Sequence, residues 1–217
     1  HGSIGICVAK VSEAYMMAKA GITGLLITSP VVTPHKIAVL LDIIRIAPDT
    51  ILVIDNLENA RFLNETMAKH HLVLNVMIDI DAGIGRTGIP LDKVIPIAKE
   101  LMSLSNLAIR GIQCYAGHLQ HISNIEERRR KSHEILSAAG KIKSQLLEMG
   151  LDCNIQTGSG TGTFSIDAEL STVTEIQPGS YCVMDQEYFN IDYKEEAFLA
   201  AMTMLTTVIS TNHNSHV

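Results

Sequence analysis

The chain has 217 residues, 47% of them hydrophobic, enough for one large α/β domain with a real core or for one and a half ordinary domains. Its net charge of −6, with only 17 Lys and Arg, argues against a nucleic-acid partner, and no basic cluster interleaves with aromatics. No apolar run reaches the ~18 residues of a membrane span, since the best stretch, 198–209, is short and studded with Thr.

The chain opens at His1-Gly2-Ser3 without an initiator Met and enters an apolar run at 4–8 almost at once. At the other end an alternating run at 203–210 stops in a polar tail with no partner to follow it. Both ends read as those of an internal segment. Between them short apolar runs alternate with amphipathic stretches, which is the βα signature. Strands are expected at 4–8, 24–28, 51–55, 72–80, 109–114, 153–156 and 173–176, each apolar enough to be covered on both faces. Helices are expected at 12–20, 34–46, 57–69, 91–103 and 125–149. Ser12 with Glu13, Pro34 after Thr33, and Asn56 supply helix starts, while Gly21 and Gly150 stand where C-terminal caps belong. The mixed-sign run 126–131 reads as a solvated helix face. Cys7, Cys114, Cys153 and Cys182 are widely spaced with no CxxC pair, as expected of reduced core thiols in a cytosolic protein.

Seven strands in series predict an α/β fold, a (β/α)8 TIM-type barrel lacking one βα unit, with an open doubly wound sheet as the competing layout. In either layout ligands bind beyond the C-terminal strand ends. Those positions are polar and glycine-rich here: Lys10, Ser29-Pro30, Asp55-Asn56, 81–86, 115–121, 157–163 and 177–181. The richest is Thr157-Gly158-Ser159-Gly160-Thr161-Gly162-Thr163, answered by Gln177-Pro178-Gly179-Ser180-Tyr181. Glycines let the main chain approach a ligand, hydroxyls add donors, and successive amides form a nest suited to an anion such as phosphate.

Four blocks, 79–88 (DIDAGIGRTG), 113–121 (QCYAGHLQH), 157–163 and 177–181, occur in an order and spacing that resembles the D-threonine aldolase and D-serine dehydratase family, whose wider relatives are the alanine racemases. The resemblance runs from the first residues to about Asp185. It implies a pyridoxal-phosphate enzyme acting on D-configured 3-hydroxy amino acids. Residues 1–190 would be the cofactor-binding barrel without its first βα unit, and 191–217 the start of a smaller β domain.

The resemblance also assigns residues. Arg86 would stand near the cofactor's phenolic oxygen and the substrate carboxylate, with Arg86 and His118 as catalytic groups and Tyr115 and His118 facing the ring. Thr157, Gly158, Ser159, Gly160 and Thr161 would form the first half of the phosphate cradle, assisted by the Ser159 hydroxyl, and Gly179, Ser180 and Tyr181 the second. Gln177 occupies the place where alanine racemases carry an arginine against the pyridine nitrogen, a departure that speaks for the aldolase and dehydratase branch. The lysine that bonds the cofactor would precede His1, and Lys10 does not match it, so this polypeptide alone is expected to be inactive.

A divalent metal, zinc or manganese, is implied only for a longer protein. The i, i+3 pairs His118/His121 and His213/His216 lack a third ligand. The implied setting is a cytoplasmic homodimer with a small D-amino acid as substrate, no nucleic acid and no membrane. The alternatives are a non-catalytic pyridoxal-phosphate-binding protein on the same barrel, an amino-acid racemase, and a sugar-phosphate barrel enzyme.

Overall fold

The structure, a computed structural model, describes residues 2–193 and 198–212. Seven parallel strands form one sheet: β1 (Ile6–Val8), β2 (Leu25–Ile27), β3 (Ile51–Ile54), β4 (Leu74–Asp79), β5 (Leu107–Cys114), β6 (Ile155–Gly158) and β7 (Glu175–Ile176). Helices α1 (Val11–Lys19), α2 (Pro34–Ile46), α3 (Leu57–Lys69), α4 (Leu91–Leu101), α5 (Ile125–Glu148) and the single turn α6 (Phe164–Asp167) fill the six crossovers, and α7 (Gln186–Phe189) follows β7. The strands lie in chain order, β1 to β7. A doubly wound sheet reverses order at a switch point, so this order is that of a barrel wall. Among the described residues β1 and β7 pair on one side only, and the fold is a (β/α)8 barrel lacking one unit.

Side-chain alternation sorts the strands into two faces. Leu25, Ile27, Leu52, Ile54, Val76 and Ile78 point outward and pack with Ala14, Leu40, Ile44, Leu63 and Met67 of the helices, all within the main core. Leu26, Val53 and Met77 point inward and form a separate plug with Ile51 and Ile155. Each such buried aliphatic contributes ~1.5–3 kcal/mol relative to exposure. The β4–β5 pairing carries a register shift between Val76 and Met77: Val76 aligns with Ile109, but Met77 aligns with Gly111.

Helix boundaries follow local chemistry. Asn56 and Asn124 accept from the Asn59 and Glu127 amides at 3.0 and 2.9 Å, capping α3 and α5. Gly21 and Gly150, at φ of +79° and +87°, close α1 and α5 in a left-handed conformation that suits glycine. The first helix starts earlier than its Ser12 signal: Lys10 is the N-cap, and Glu13 reaches back to accept from the Ala9 and Lys10 amides, both at 3.1 Å.

Two strands shift. A turn at Cys153, whose amide bonds the Leu151 carbonyl, delays β6, so Thr157 and Gly158 belong to the strand and not to the loop after it. The turn at 170–173 shortens β7 to two residues. The alternating run within 198–210 forms no strand among the described residues. Leu199, Met204, Leu205 and Ile209 are 85–99% exposed, and an unpaired run cannot hold a ladder. His213 and His216, together with residues 194–197, lie outside the described residues.

Candidate functional site

The C-terminal strand ends open onto one cavity of about 280 Å³. Cys7, Val8 and Ala9 border it from β1, Thr28 from β2, Arg86 from the loop after β4, and Gln113 and Tyr115 from β5. Gly160 and Thr161 follow β6, Gln177, Gly179 and Ser180 follow β7, and Tyr188 reaches in from α7.

The loop after β6 is braced from beneath. Gln120, 1% exposed, accepts from the Gly162 amide at 2.9 Å and donates to Thr163 Oγ1 at 3.0 Å, while Thr163 Oγ1 accepts from the Gly160 amide at 3.2 Å. Glycine is required by close approach: a Cβ on Gly162 would lie 2.1 Å from the Gln120 carbonyl oxygen, and one on Gly158 2.2 Å from that of Cys114. Ser159 is held at a φ of +67°, an uncommon conformation for a side-chain-bearing residue and one that recurs in functional loops. Asp167 lies below, 1% exposed, accepting from Ser132 Oγ at 2.5 Å. Burial pushes its carboxyl above the ordinary value, and the hydroxyls of Ser132, Thr163 and Ser159 pull it back. The two Gly-rich loops are tied together, since the Tyr181 amide donates to Thr161 Oγ1 at 3.0 Å.

Four inward-facing polar side chains connect across neighbouring strands. The register aligns Asp79 with Gln113, Gln113 with Thr157, and Thr157 with Glu175, two residues before Gln177. Gln113 Nε2 donates to Asp79 Oδ1 at 2.9 Å, and Gln177 Nε2 donates to Gln113 Oε1 at 3.2 Å and to Thr157 Oγ1 at 2.9 Å. Thr87 Oγ1 donates to the other Asp79 oxygen at 2.8 Å. Asp79 is 4% exposed; burial raises its pKa, opposed by the Gln113 and Thr87 hydrogen bonds.

The loop at 81–88 is shaped by Asp81, whose Oδ1 accepts from the Gly83 and Gly85 amides at 2.9 and 3.1 Å, and by Asp55, which accepts from the Gly88 amide at 3.2 Å. It carries Arg86 over Tyr115, with the guanidinium carbon 5.5 Å from the ring centroid. Such a contact contributes ~0.5–1 kcal/mol at an exposed site. Burial raises the Tyr115 phenol pKa and the Arg86 charge lowers it.

Of the residues expected from sequence, Arg86, Tyr115, Gly160, Thr161, Gln177, Gly179 and Ser180 line the cavity together. Thr157 lies one layer behind, holding Gln177. Gly158 ends the strand, and Ser159 is 2% exposed, its hydroxyl without a hydrogen-bond partner among the described residues. The Tyr181 ring instead borders a second, apolar pocket of about 200 Å³ with Phe164, Ile176, Pro178 and Phe198, and only its main chain joins the loops. His118 does not face the cavity either: it is exposed on the 3-10 turn Gly117–Leu119, which turns it toward Gly83. His121 stacks on Tyr188 at 4.5 Å and approaches Glu187 at 3.6 Å. Sequence reading looked past the strand ends and so missed Cys7 and Thr28; Gln113 and Tyr188 were not singled out either. For Cys7, Thr28 and Gln113 inward alternation was the available signal. Among the described residues no lysine borders the cavity and no three His, Cys, Asp or Glu side chains form a metal group. No helix among them is long and apolar enough to cross a membrane.

Residues 1–187 match the family model described as alanine racemase, N-terminal domain. The chain is 34% identical to the D-threonine aldolase of an Arthrobacter species, over 96% of this chain and 55% of that protein. It is 32% identical to the 3-hydroxy-D-aspartate aldolase of Paracoccus denitrificans (strain Pd 1222), over 96% and 56%. The crystal structure of D-threonine aldolase from Filomicrobium marinum superposes with a TM-score of 0.83 at 31% identity, covering 92% of this chain and 54% of that one. The chain thus spans about half the length of the relatives it matches.

Proposed function

Because the chain belongs to the family of alanine racemase N-terminal domains, we propose that its barrel is the cofactor-binding part of a pyridoxal-phosphate-dependent lyase acting on D-configured 3-hydroxy amino acids, of D-threonine aldolase or D-serine dehydratase type. The carrying observation is the convergence on one cavity of Gly160-Thr161 and Gly179-Ser180, joined through Tyr181 and Thr161, with Arg86, Tyr115 and Gln177. A donor-rich, glycine-lined recess beside an arginine and a ring-sized space fits a phosphorylated aromatic aldehyde.

When bound, the cofactor supplies an electron sink for the charge left when a bond at Cα or Cβ of the substrate breaks. The chain's residues then divide the remaining work. Main-chain amides of Thr161, Gly179 and Ser180, with the Ser180 hydroxyl, would hold the phosphate, and Gly160, whose amide is taken by Thr163, lines the recess. Arg86 offers a planar donor fork to anionic oxygens, the substrate carboxylate among them. Tyr115 and Arg86 would flank the ring, and the neutral amide of Gln177 would stand at the ring nitrogen where racemases place a charge, which favours lyase over racemase. His118, exposed and not bordering the cavity, receives no role.

The same reading makes the intact enzyme a cytoplasmic homodimer, with 191–217 beginning its β domain. The divalent metal that the resemblance implies finds no ligand group among the described residues, and no step is assigned to it. With no lysine at the cavity among the described residues, the polypeptide alone is expected to bind pyridoxal phosphate without turning over substrate. Absorbance titration with pyridoxal 5′-phosphate, competed by inorganic phosphate, tests the first part, and a D-threonine cleavage assay tests the second. Absence of competable binding would refute the cofactor site, and cleavage by this polypeptide would refute its inactivity.

A further inference from the structure

Resting on that reading, we propose that Asp79 is a positioning residue that acts through Gln113 to fix the side-chain amide of Gln177 with its carbonyl oxygen toward the cavity, where it accepts a hydrogen bond from a protonated ring nitrogen. The two ends of a glutamine amide are alike in shape and opposite in hydrogen-bonding sense. What selects between them is a partner that can play only one part, and an ionised carboxylate only accepts.

Asp79 is that partner. It forces Gln113 to present Nε2, which it does at 2.9 Å, and Gln113 Oε1 is then the end that meets Gln177. Gln177 must answer with its own Nε2, at 3.2 Å, and the second proton of that nitrogen is taken by Thr157 Oγ1 at 2.9 Å. Both amide protons of Gln177 are thereby engaged in the barrel wall. Oε1 is the end left for the cavity, which Gln177 borders. Burial raises the Asp79 pKa, with the like charge of Asp55, while the hydrogen bonds from Gln113 and Thr87, at 2.9 and 2.8 Å, and the charge of Arg86 work for the anion. Both carboxylate oxygens are placed as acceptors.

An acceptor at this place repels a bare pyridine lone pair and bonds its protonated form. Gln177 is therefore a selective partner, and its selectivity originates at a residue that need not touch the bound ring. The same Gln177 without the buried anion could present either end.

Two readouts on the full chain test this. In ligand-free protein, through-hydrogen-bond NMR couplings are expected from the Gln113 side-chain nitrogen to the Asp79 carboxyl carbon, and from the Gln177 side-chain nitrogen to the Gln113 amide carbon. Couplings of the opposite sense, or a Gln113 amide in free exchange, overturn the proposal whether or not any cofactor binds. Pyridoxine 5′-phosphate, which has no aldehyde and needs no lysine, supplies the second readout. Its ring nitrogen, followed by absorbance, should bind in the protonated form about tenfold more tightly than in the neutral form, as a charge-assisted bond allows. Asp79→Leu, and Asp79→Asn in case the first fails to fold, should lose most of that preference while inorganic phosphate binds as in wild type. An unchanged preference in the folded variants, or none in wild type, overturns the proposal. If neither phosphate compound binds, the cofactor reading fails instead, and the NMR couplings still decide the relay.

Discussion

The main-chain amide of Tyr181 donates to Thr161 Oγ1 at 3.0 Å, so the loop after β7 is registered against the loop after β6 by one hydroxyl. Residues of both loops border the same cavity. Replacing Thr161 by Val keeps the shape and removes the acceptor, at a cost of ~0.5–1.5 kcal/mol. Affinity for pyridoxal 5′-phosphate should fall roughly three- to tenfold by the same measure, with Thr161→Ser restoring it. Equal affinity in Thr161→Val would show that the loops do not depend on this bond.

Gly158 and Gly179 should respond to alanine in opposite ways. A Cβ on Gly158 meets the Cys114 carbonyl oxygen at 2.2 Å, whereas none of the surrounding atoms comes within 4 Å of one on Gly179. Gly158→Ala should lose about 1–3 kcal/mol in urea unfolding, the usual range for overpacking. Gly179→Ala should unfold like wild type yet bind phosphate less well, its methyl occupying the recess. Comparable unfolding midpoints for the two variants would contradict the assignment.

Removing the charge of Arg86 should be visible at its neighbour. The guanidinium 5.5 Å from the Tyr115 ring stabilises the phenolate, against burial that opposes it. Arg86→Ala should therefore raise the Tyr115 pKa further, whereas Arg86→Lys should move it less. Ultraviolet titration against a Tyr115→Phe control reads the shift. A lower pKa in Arg86→Ala would break the link.

Asp167 gives a pH dependence of determined sign. Its carboxyl, raised chiefly by burial, holds a proton more tightly in the folded protein than the ordinary value of ~3.9 in the unfolded chain. The folded state then carries more protons across the window above ~3.9, so this group's contribution is complete below that value and is lost as pH rises through the folded pKa. Asp167→Asn should flatten that fall in urea midpoints measured across the acid range. A steeper fall in the variant would reverse the sign.

The strands could be read from residues because the central ones are apolar on both faces, as at Leu52, Val53 and Ile54, where burial is complete on either side of the sheet. The clustering of Arg86, Tyr115, Thr161, Gln177 and Gly179 was legible because strand ends share a rim. Other features depend on pairings that no local pattern states. Gln113 looks like one polar residue in an apolar strand until the register sets it between Asp79 and Thr157. His118 sits on a 3-10 turn, not an extended exit, after Tyr115 and does not border the cavity, a placement that local pattern does not state. The run within 198–210 alternates like a strand, but alternation shows only that a segment could pair.

The register shift between β4 and β5 decides which chemistry the barrel encloses. Ile109 and Ile112 both belong to the outer core although an odd number of steps separates them, because Arg110 is an extra residue without a counterpart on β4. Were the ladder regular, with Arg110 paired to Met77, Asp79 would face Ile112 and Gln113 would lie among the helices. The site therefore depends on parity: leaving Arg110 outside the ladder, bonded to Asn75 and Asp152, sets Gln113 and not Ile112 opposite Asp79. Drawing Arg110 into regular pairing would erase the relay with every polar side chain intact, whereas deleting it would leave Asp79 opposite Gln113.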